Sequence, residues 1–420
     1  MLTNNDKIKT LDLFAGCGGL TDGFEQSGYF ETSACVEWDK SSCATLENRL
    51  RQKWGLQDAD QRVIRFDIQR TDELIKGWSN DPDYGSSPGL INLVSSKNGG
   101  VDMIIGGPPC QAYSIAGRIR DKNGMNDDYR NFLFEKYIEI VKELKPKLLI
   151  FENVPGMLSA SPGGVSIVER IRAAFANAGY EISDNLRKYA LVDAADFGVP
   201  QYRKRLIILG LNKKEFKHNA QELLRDFYLN MLPGLKETSF RTVSEAIADL
   251  PTLNPKNVDA QVPQGHRARY HSERDKAIFR ELALDIKGVN RKYKTAEDLK
   301  RLYTERTGKV SSVHKYHVLE PDKPSTTIVA HLYKDGLRHI HPDPDQARSI
   351  TVREAARLQS FDDDFAFLGS MGDQYKMIGN AVPPLLAKKI AEAIVIFIKK
   401  YANEPLSGLQ NQRPGLYTQA

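Results

Sequence analysis

Short apolar runs that end in glycine and alternate with helical patterns constrain this chain more than any other feature. Residues 9–14 (Lys-Thr-Leu-Asp-Leu-Phe) form such a run and stop at a glycine-rich turn. That reads as a buried strand feeding a helix over 20–27, closed by Gly28. Residues 32–36 repeat the strand pattern, 40–50 carry a helical one with Cys43, Leu46 and Leu50 on one face, and 62–66 read as a third strand. Runs at 101–105, 147–151 and 205–211 continue the series, with a helical pattern at 132–144. This alternation predicts an α/β fold whose parallel sheet is covered on both faces. At 420 residues there is room for two domains, or one domain with a large insertion.

Residues 77–100, rich in Gly, Ser, Asn and Pro, read as a loop or small insertion without assigned chemistry. From 212 to 348 the alternation fades into helical patches (220–232, 272–284) and a short β-like piece (325–331), and all eight histidines fall there. A solvated irregular domain and a nucleic-acid surface both fit that stretch. Regularity returns with an amphipathic helix at 351–359 and a longer one at 384–401, where Leu386, Ile390, Ile394 and Phe397 recur at helical spacing. Such a stripe predicts that the C-terminus packs back on the first domain. The expected division is therefore 1–211 with 349–405 as one domain, 212–348 inserted into it, and 406–420 as a tail.

Charge decides little: 59 Lys and Arg against 54 Asp and Glu leave +5, which permits a polyanionic partner without requiring one. No stretch approaches the roughly 18 apolar residues of a membrane helix, and the N-terminus has no apolar signal core, so a cytoplasmic protein is expected. The four cysteines form no disulfide framework and no zinc-type pair.

The strand ends carry the chemistry. Asp12-Leu-Phe-Ala-Gly-Cys-Gly-Gly-Leu20 lies where strand one becomes helix one, and Gly16, Gly18 and Gly19 let a ligand approach the backbone. Glu37, 21 residues after Gly16 at the end of strand two, is placed to bind ribose hydroxyls, and Trp38 offers a flat face to a purine. Asp67 ends strand three and could accept from an adenine amine. Each residue alone is as well explained as a cap or a core aromatic; together they favour an adenosine ligand. Gly106-Gly-Pro-Pro-Cys-Gln-Ala-Tyr-Ser114 follows the 101–105 strand, and its prolines hold the Cys110 thiol on a loop outside regular structure. Glu152 ends the 147–151 strand at the same edge, where partial burial would raise its pKa and suit it to proton donation. Arg203 and Arg205, two apart, could hold a carbonyl oxygen or a phosphate.

Taken in order, residues 12–20, 106–114, 152–154, 201–205, 351–361 and 379–383 resemble the motifs of the DNA cytosine-5 methyltransferases of bacterial restriction-modification type. The departures are the 77–100 segment and Ala381, where serine is also common. The resemblance implies a Rossmann-like, S-adenosylmethionine-dependent methyltransferase fold with a mixed, mostly parallel sheet, in which 212–348 is the target-recognition domain. It implies Cys110 as the nucleophile adding to C6 of a flipped cytosine, Glu152 at N3 and the exocyclic amine, Arg205 at O2, and Arg203 supporting the thiolate and phosphate environment. S-adenosyl-L-methionine would be held by Phe14, Ala15, Gly16, Cys17, Gly18, Gly19, Leu20, Glu37, Trp38, Asp67, Ile68, Gly107, Pro109, Leu133, Asn380, Ala381 and Val382. Gln111, Ser114, Arg118 and Arg120 would lie on a loop closing over double-stranded DNA. A monomer that pairs functionally with a cognate restriction endonuclease is expected.

Three other readings stay open on sequence. A dinucleotide-dependent oxidoreductase accounts for the glycine turn and Glu37 but not for Pro-Pro-Cys. A tRNA methyltransferase of the same chemistry is disfavoured by the long insertion and the absence of Cys-Phe-Thr. A metal site at His314, His317, His339 and His341 lacks a cysteine or carboxylate that clearly completes it. The target sequence, and which of Arg267, Arg269, Lys334 or Arg338 reaches a base, depend on the fold of the insertion.

Overall fold

The computed structural model describes residues 7–95, 100–109, 133–161, 164–216, 219–253, 262–334 and 336–401. By its contacts the chain divides into two compact units. The first comprises Met1–Asp193, Lys204–Lys236 and Leu386–Ala420; the second comprises Ala194–Arg203 and Glu237–Leu385.

An eight-stranded sheet organises the first unit. Its strands are β1 (Ile8–Leu13), β2 (Phe30–Glu37), β3 (Val63–Arg65), β6 (Met103–Gly106), β7 (Leu148–Asn153), β8 (Tyr180–Ile182), β9 (Leu191–Asp193) and β10 (Lys204–Asn212). They run in the order β3-β2-β1-β6-β7-β10-β8, with β9 also paired to β10. The five strands from β3 to β7 are parallel, whereas β10 is antiparallel to β7, β8 and β9, so the sheet is mixed and mostly parallel as expected. Its strands are continuous apolar runs because both faces are buried: Leu11, Ile104, Leu149 and Ile208 are fully inaccessible. The chain leaves β1 toward β2 on one side and returns to β6 on the other. This reversal of direction is the crevice where open α/β sheets bind ligands.

Helix α1 (Gly19–Gln26) starts one residue earlier than expected, and α2 (Lys40–Gln52) is capped by Asp39, whose side chain accepts from the Ser42 amide. The C-terminal helix Pro384–Tyr401 does return to the first unit. Its Phe397 ring lies 5.8 Å from Phe216 and 6.2 Å from Phe227, and Lys400 pairs with Asp226 at 2.7 Å. The segment 77–100 is more than a loop. It contains a hairpin, β4 (Trp78–Asp81) with β5 (Gly85–Ser87), followed by the helix Gly89–Ser95.

In the second unit two expectations are corrected. The β-like piece 325–331 forms only a single bridge, Gln201 to Ser325, because the Ile328 amide donates to the Gln201 side chain rather than to a partner strand. The helix Ala296–Thr307 was not anticipated, although Thr295 and Asp298 form a capping box and Gly308 ends it in the left-handed region at φ 69°. It packs with Glu273–Lys287 around Ile278, Phe279, Leu282 and Leu302. The compact boundary also differs from the expected 211/212 and 348/349. Residues 349–385 and 194–203 fall with the second unit, because Gln201 and Arg203 are bonded into it through backbone carbonyls.

Candidate active site

The first unit brings three strand ends into one row. Leu13 pairs with Gly106 and Gly106 with Phe151, so the turn after β1, the loop after β6 and Glu152 on β7 emerge side by side. Glycine is required at that junction. A Cβ on Gly106 would collide with the Leu13 carbonyl, and one on Gly107 would sit 2.6 Å from Glu152 Oε2. Asn153 joins the same two strand ends, its Nδ2 donating to the Pro108 carbonyl at 3.3 Å. The residues leading into Cys110 are therefore in contact with Glu152 and its neighbour. Cys110 itself, with Gln111, Ser114, Arg118 and Arg120, lies outside the described residues.

Glu152 and Arg205 meet on adjacent antiparallel strands, where Arg205 Nε donates to Glu152 Oε1 at 2.8 Å and each side chain is 12% exposed. Burial lowers the Arg205 guanidinium from its ordinary value, opposed by the carboxylate. A half-buried pair that still reaches solvent can exchange part of its bonding with a polar ring. Arg203 is 1% exposed, and its guanidinium donates to the carbonyls of Ile328 (2.9 Å), Gly379 (2.8 Å) and Ala381 (2.8 Å) within the second unit. This buried cation holds the backbone on either side of Asn380 through charge-assisted hydrogen bonds. Gln359 Nε2 reinforces it, donating to Ile378 and Ala381 carbonyls at 3.0 and 2.6 Å. Asn380, Ala381 and Val382 thus belong to a well-bonded turn of the second unit.

At the end of β1 the turn is bent through Phe14 at φ 62°, Gly16 at φ 57° and Gly18 at φ 93°. Gly18 favours glycine because its φ of 93° lies in the left-handed region; beside Gly16 there is open space. Glu37 braces this turn. One carboxylate oxygen accepts from the Gly16 amide at 2.8 Å, the other from the Trp38 and Asp39 amides, both at 2.9 Å. Burial raises its pKa, and these three N–H bonds oppose the rise. Trp38 is 63% exposed, so it is a surface ring beside Glu37 and not a core aromatic. Asp67 accepts from the Gln69 amide at 3.0 Å, which orients its carboxylate at the end of β3. Ala15, Cys17, Gly18, Gly19, Leu20, Ile68 and Leu133 are buried, with Gly107 and Pro109 at the surface of the neighbouring strand end. The thiols of Cys17, Cys35 and Cys43 are free and buried, and burial pushes all three well up, away from the thiolate a nucleophile needs.

Asp12 was not singled out, yet it lies directly beneath the turn. It is 1% exposed, accepts from Thr21 Oγ1 at 2.6 Å, and leaves Oδ1 without a hydrogen bond. Burial raises its pKa from 3.8 to about 7. The folded chain therefore keeps the proton where the unfolded chain has lost it, and stability falls as pH rises from about 4 to 7. Asp12→Asn is expected to remove this slope. Across that window the wild type should lose roughly 4 kcal/mol relative to the variant in urea melts, and parallel curves would refute the assignment.

In the second unit, His339 and His341 are buried and pushed down to about 3 and about 4, chiefly by desolvation. His341 Nδ1 accepts from the Asp343 amide, and its Nε2 lies 3.5 Å from Glu354. Among the described residues no cluster of three or more His, Cys, Asp or Glu is arranged to hold a metal. Arg269 binds the Leu332 and Tyr333 carbonyls, while Arg267 and Lys334 are exposed. No described helix is long and apolar enough to cross a membrane.

The family described as C-5 cytosine-specific DNA methylase matches residues 8–78 and 89–396. The type II methyltransferase M.Bpa9945I of Bacillus paralicheniformis is 36% identical, over 91% of this chain and 98% of its own. M1.HphI of Haemophilus parahaemolyticus is 31% identical over 92% and 86%. Among solved structures, a DNA modification methyltransferase encoded within an E. coli prophage superposes with TM-score 0.60 at 23% identity, covering 94% of this chain and 100% of that one.

Proposed function

We propose, from the premise that this chain belongs to the C-5 cytosine-specific DNA methylase family, that it methylates one cytosine within a short, fixed duplex sequence through a covalent adduct on Cys110. The family uses S-adenosylmethionine, which supplies an electrophilic methyl group on sulfur. The open turn at Gly16, the exposed Trp38 and the oriented Asp67 suit an adenosyl group. The observation that carries the reading is the row of strand ends joining the glycine turn, the Cys110 loop and the Glu152–Arg205 pair.

Cytosine C5 is a weak nucleophile, so the ring must be activated first. The Cys110 thiolate adds to C6, and the electron pair moves into the ring toward N3 and O2. Glu152 hydrogen-bonds N3 and the exocyclic amine, and Arg205 faces O2, so both stabilise the charge where it develops. C5 would then take the methyl group as its bond to the sulfonium sulfur breaks and the neutral thioether leaves. Loss of the C5 proton and expulsion of the Cys110 sulfur restore the ring. Because a stacked base cannot be reached, the cytosine is flipped out at a cost of a few kcal/mol. In this reading Gln111, Ser114, Arg118 and Arg120 close over the DNA, and exposed Arg267 and Lys334 in the 212–348 segment are among the side chains that meet it.

The curated relatives are named as type II methyltransferases, which supports a role as the modification partner of a restriction endonuclease. Bisulfite sequencing of host DNA after expression tests the proposal. The expected result is 5-methylcytosine at one fixed context; conversion of every cytosine, as in a host without the gene, would overturn it.

A further inference from the structure

Residues 79–88, which form most of the hairpin between Gly77 and Gly89, fall in the gap of the family match, so the family's common pattern does not account for them. We propose that this hairpin is a positioning element for the cofactor: by immobilising Phe66 it sets the spacing of Glu37 and Asp67. The inference rests on the assignment of those two carboxylates to ribose and adenine.

Phe66 is the single residue between the end of β3 and Asp67. Its amide donates to the Glu37 carbonyl at 3.0 Å, so its backbone ties one acidic residue to the other. Its ring is 1% exposed and is held largely by the insertion and its base. Trp78 stacks on it at 3.9 Å and 26°, Tyr84 tilts against it at 4.9 Å, and the Arg70 guanidinium lies 4.8 Å from its centre. Arg70 is fixed in turn by Asp81 of the hairpin at 2.6 Å and by Glu73. Arg65, the last residue of β3, donates to the Asp83 carbonyl at 3.2 Å.

The physical need is clear from the sheet. β3 has three residues and is the outermost strand, so no further strand steadies the end that carries Asp67. The hairpin supplies that support from the side. It is held at its own neck, where Gly77 and Gly89 meet backbone to backbone: a Cβ on Gly77 would lie 2.8 Å from the Ser87 carbonyl, and one on Gly89 would strike the Gly77 amide. A device closed this tightly at its base transmits its position to Phe66 and not to solvent.

The test is calorimetric titration of the whole chain with S-adenosylmethionine. Trp78→Ala should weaken cofactor binding roughly 5- to 10-fold, the scale of one aromatic stacking contact. Trp78→Phe, which keeps a stacking ring, should stay within about twofold of wild type. Affinity for duplex DNA without cofactor should not change in either variant. Arg70→Met is the second variant should Trp78→Ala fail to fold, with the same direction expected. Unchanged cofactor affinity in a folded variant overturns the proposal, as does a Trp78→Phe protein no better than Trp78→Ala. Asp67→Asn separates the two levels of inference: if it also leaves affinity unchanged, the assignment of the pocket fails, whereas a loss there alone leaves the pocket and removes the hairpin's role.

Discussion

Cys110→Ser is expected to abolish methyl transfer, lowering the single-turnover rate on order of 10^4-fold or more, the scale on which enzymes lose their nucleophile. A serine hydroxyl is a far weaker nucleophile than a thiolate at neutral pH. The three other cysteines cannot substitute, because each is buried and burial holds its thiol protonated. Cofactor affinity should be unchanged, since the turn at Gly16, Glu37 and Asp67 do not depend on the thiol. The check is bisulfite sequencing beside transfer of labelled methyl groups to duplex DNA. A 5-methylcytosine pattern that survives the substitution would remove Cys110 from the reaction. Trapping of the wild type on DNA carrying 5-fluorocytosine, absent in the variant, would report the adduct directly, because fluorine at C5 blocks the proton loss that releases sulfur.

Glu152→Gln is expected to be the next largest loss, about 10^2- to 10^4-fold in the rate of transfer. The amide keeps the shape of the carboxyl and can still accept from Arg205 through oxygen, so the strands should hold their register. What it lacks is a proton to share with N3 as C6 is attacked. The loss should therefore fall on kcat, with the KM for S-adenosylmethionine little changed, because the carboxylates proposed to bind the cofactor, Glu37 and Asp67, lie on β2 and after β3. A fall of less than tenfold would show that the ring is activated without Glu152. The structure adds a companion expectation. A side chain at 107 would begin 2.6 Å from Glu152 Oε2, so enlarging Gly107 should mimic the loss of Glu152 while leaving its carboxyl in place.

Much of this was legible in the chain itself, for a definite reason. Buried parallel strands need continuous apolar runs, and their ends need glycine where backbone passes close to backbone or ligand. Both demands are local, so β1, β2, β6, β7 and β10 could be located to within two residues, and the glycine turn, Glu37, Asp67, the Cys110 loop and Glu152 could be assigned to one edge. The adjacency of Arg205 to Glu152 was not legible, because it rests on the antiparallel pairing of β10 with β7.

Arg203 shows where that legibility stops. Its sequence context is the same as that of Arg205, two residues away, yet one guanidinium meets a half-buried carboxylate and the other grips three backbone carbonyls from residues 328 to 381. No local pattern distinguishes them, because the carbonyls that decide the outcome lie more than a hundred residues away in the chain. The same reason applies to the 77–100 segment. Its composition is that of a loop, and its order comes from a ring, Phe66, that a local reading treats only as the end of a strand. Sequence alone located the strands of the sheet and the residue types at their ends, because both demands are local. Tertiary structure alone decided the order of the strands and which charged and aromatic groups meet, since that is set by contacts between segments distant in the chain.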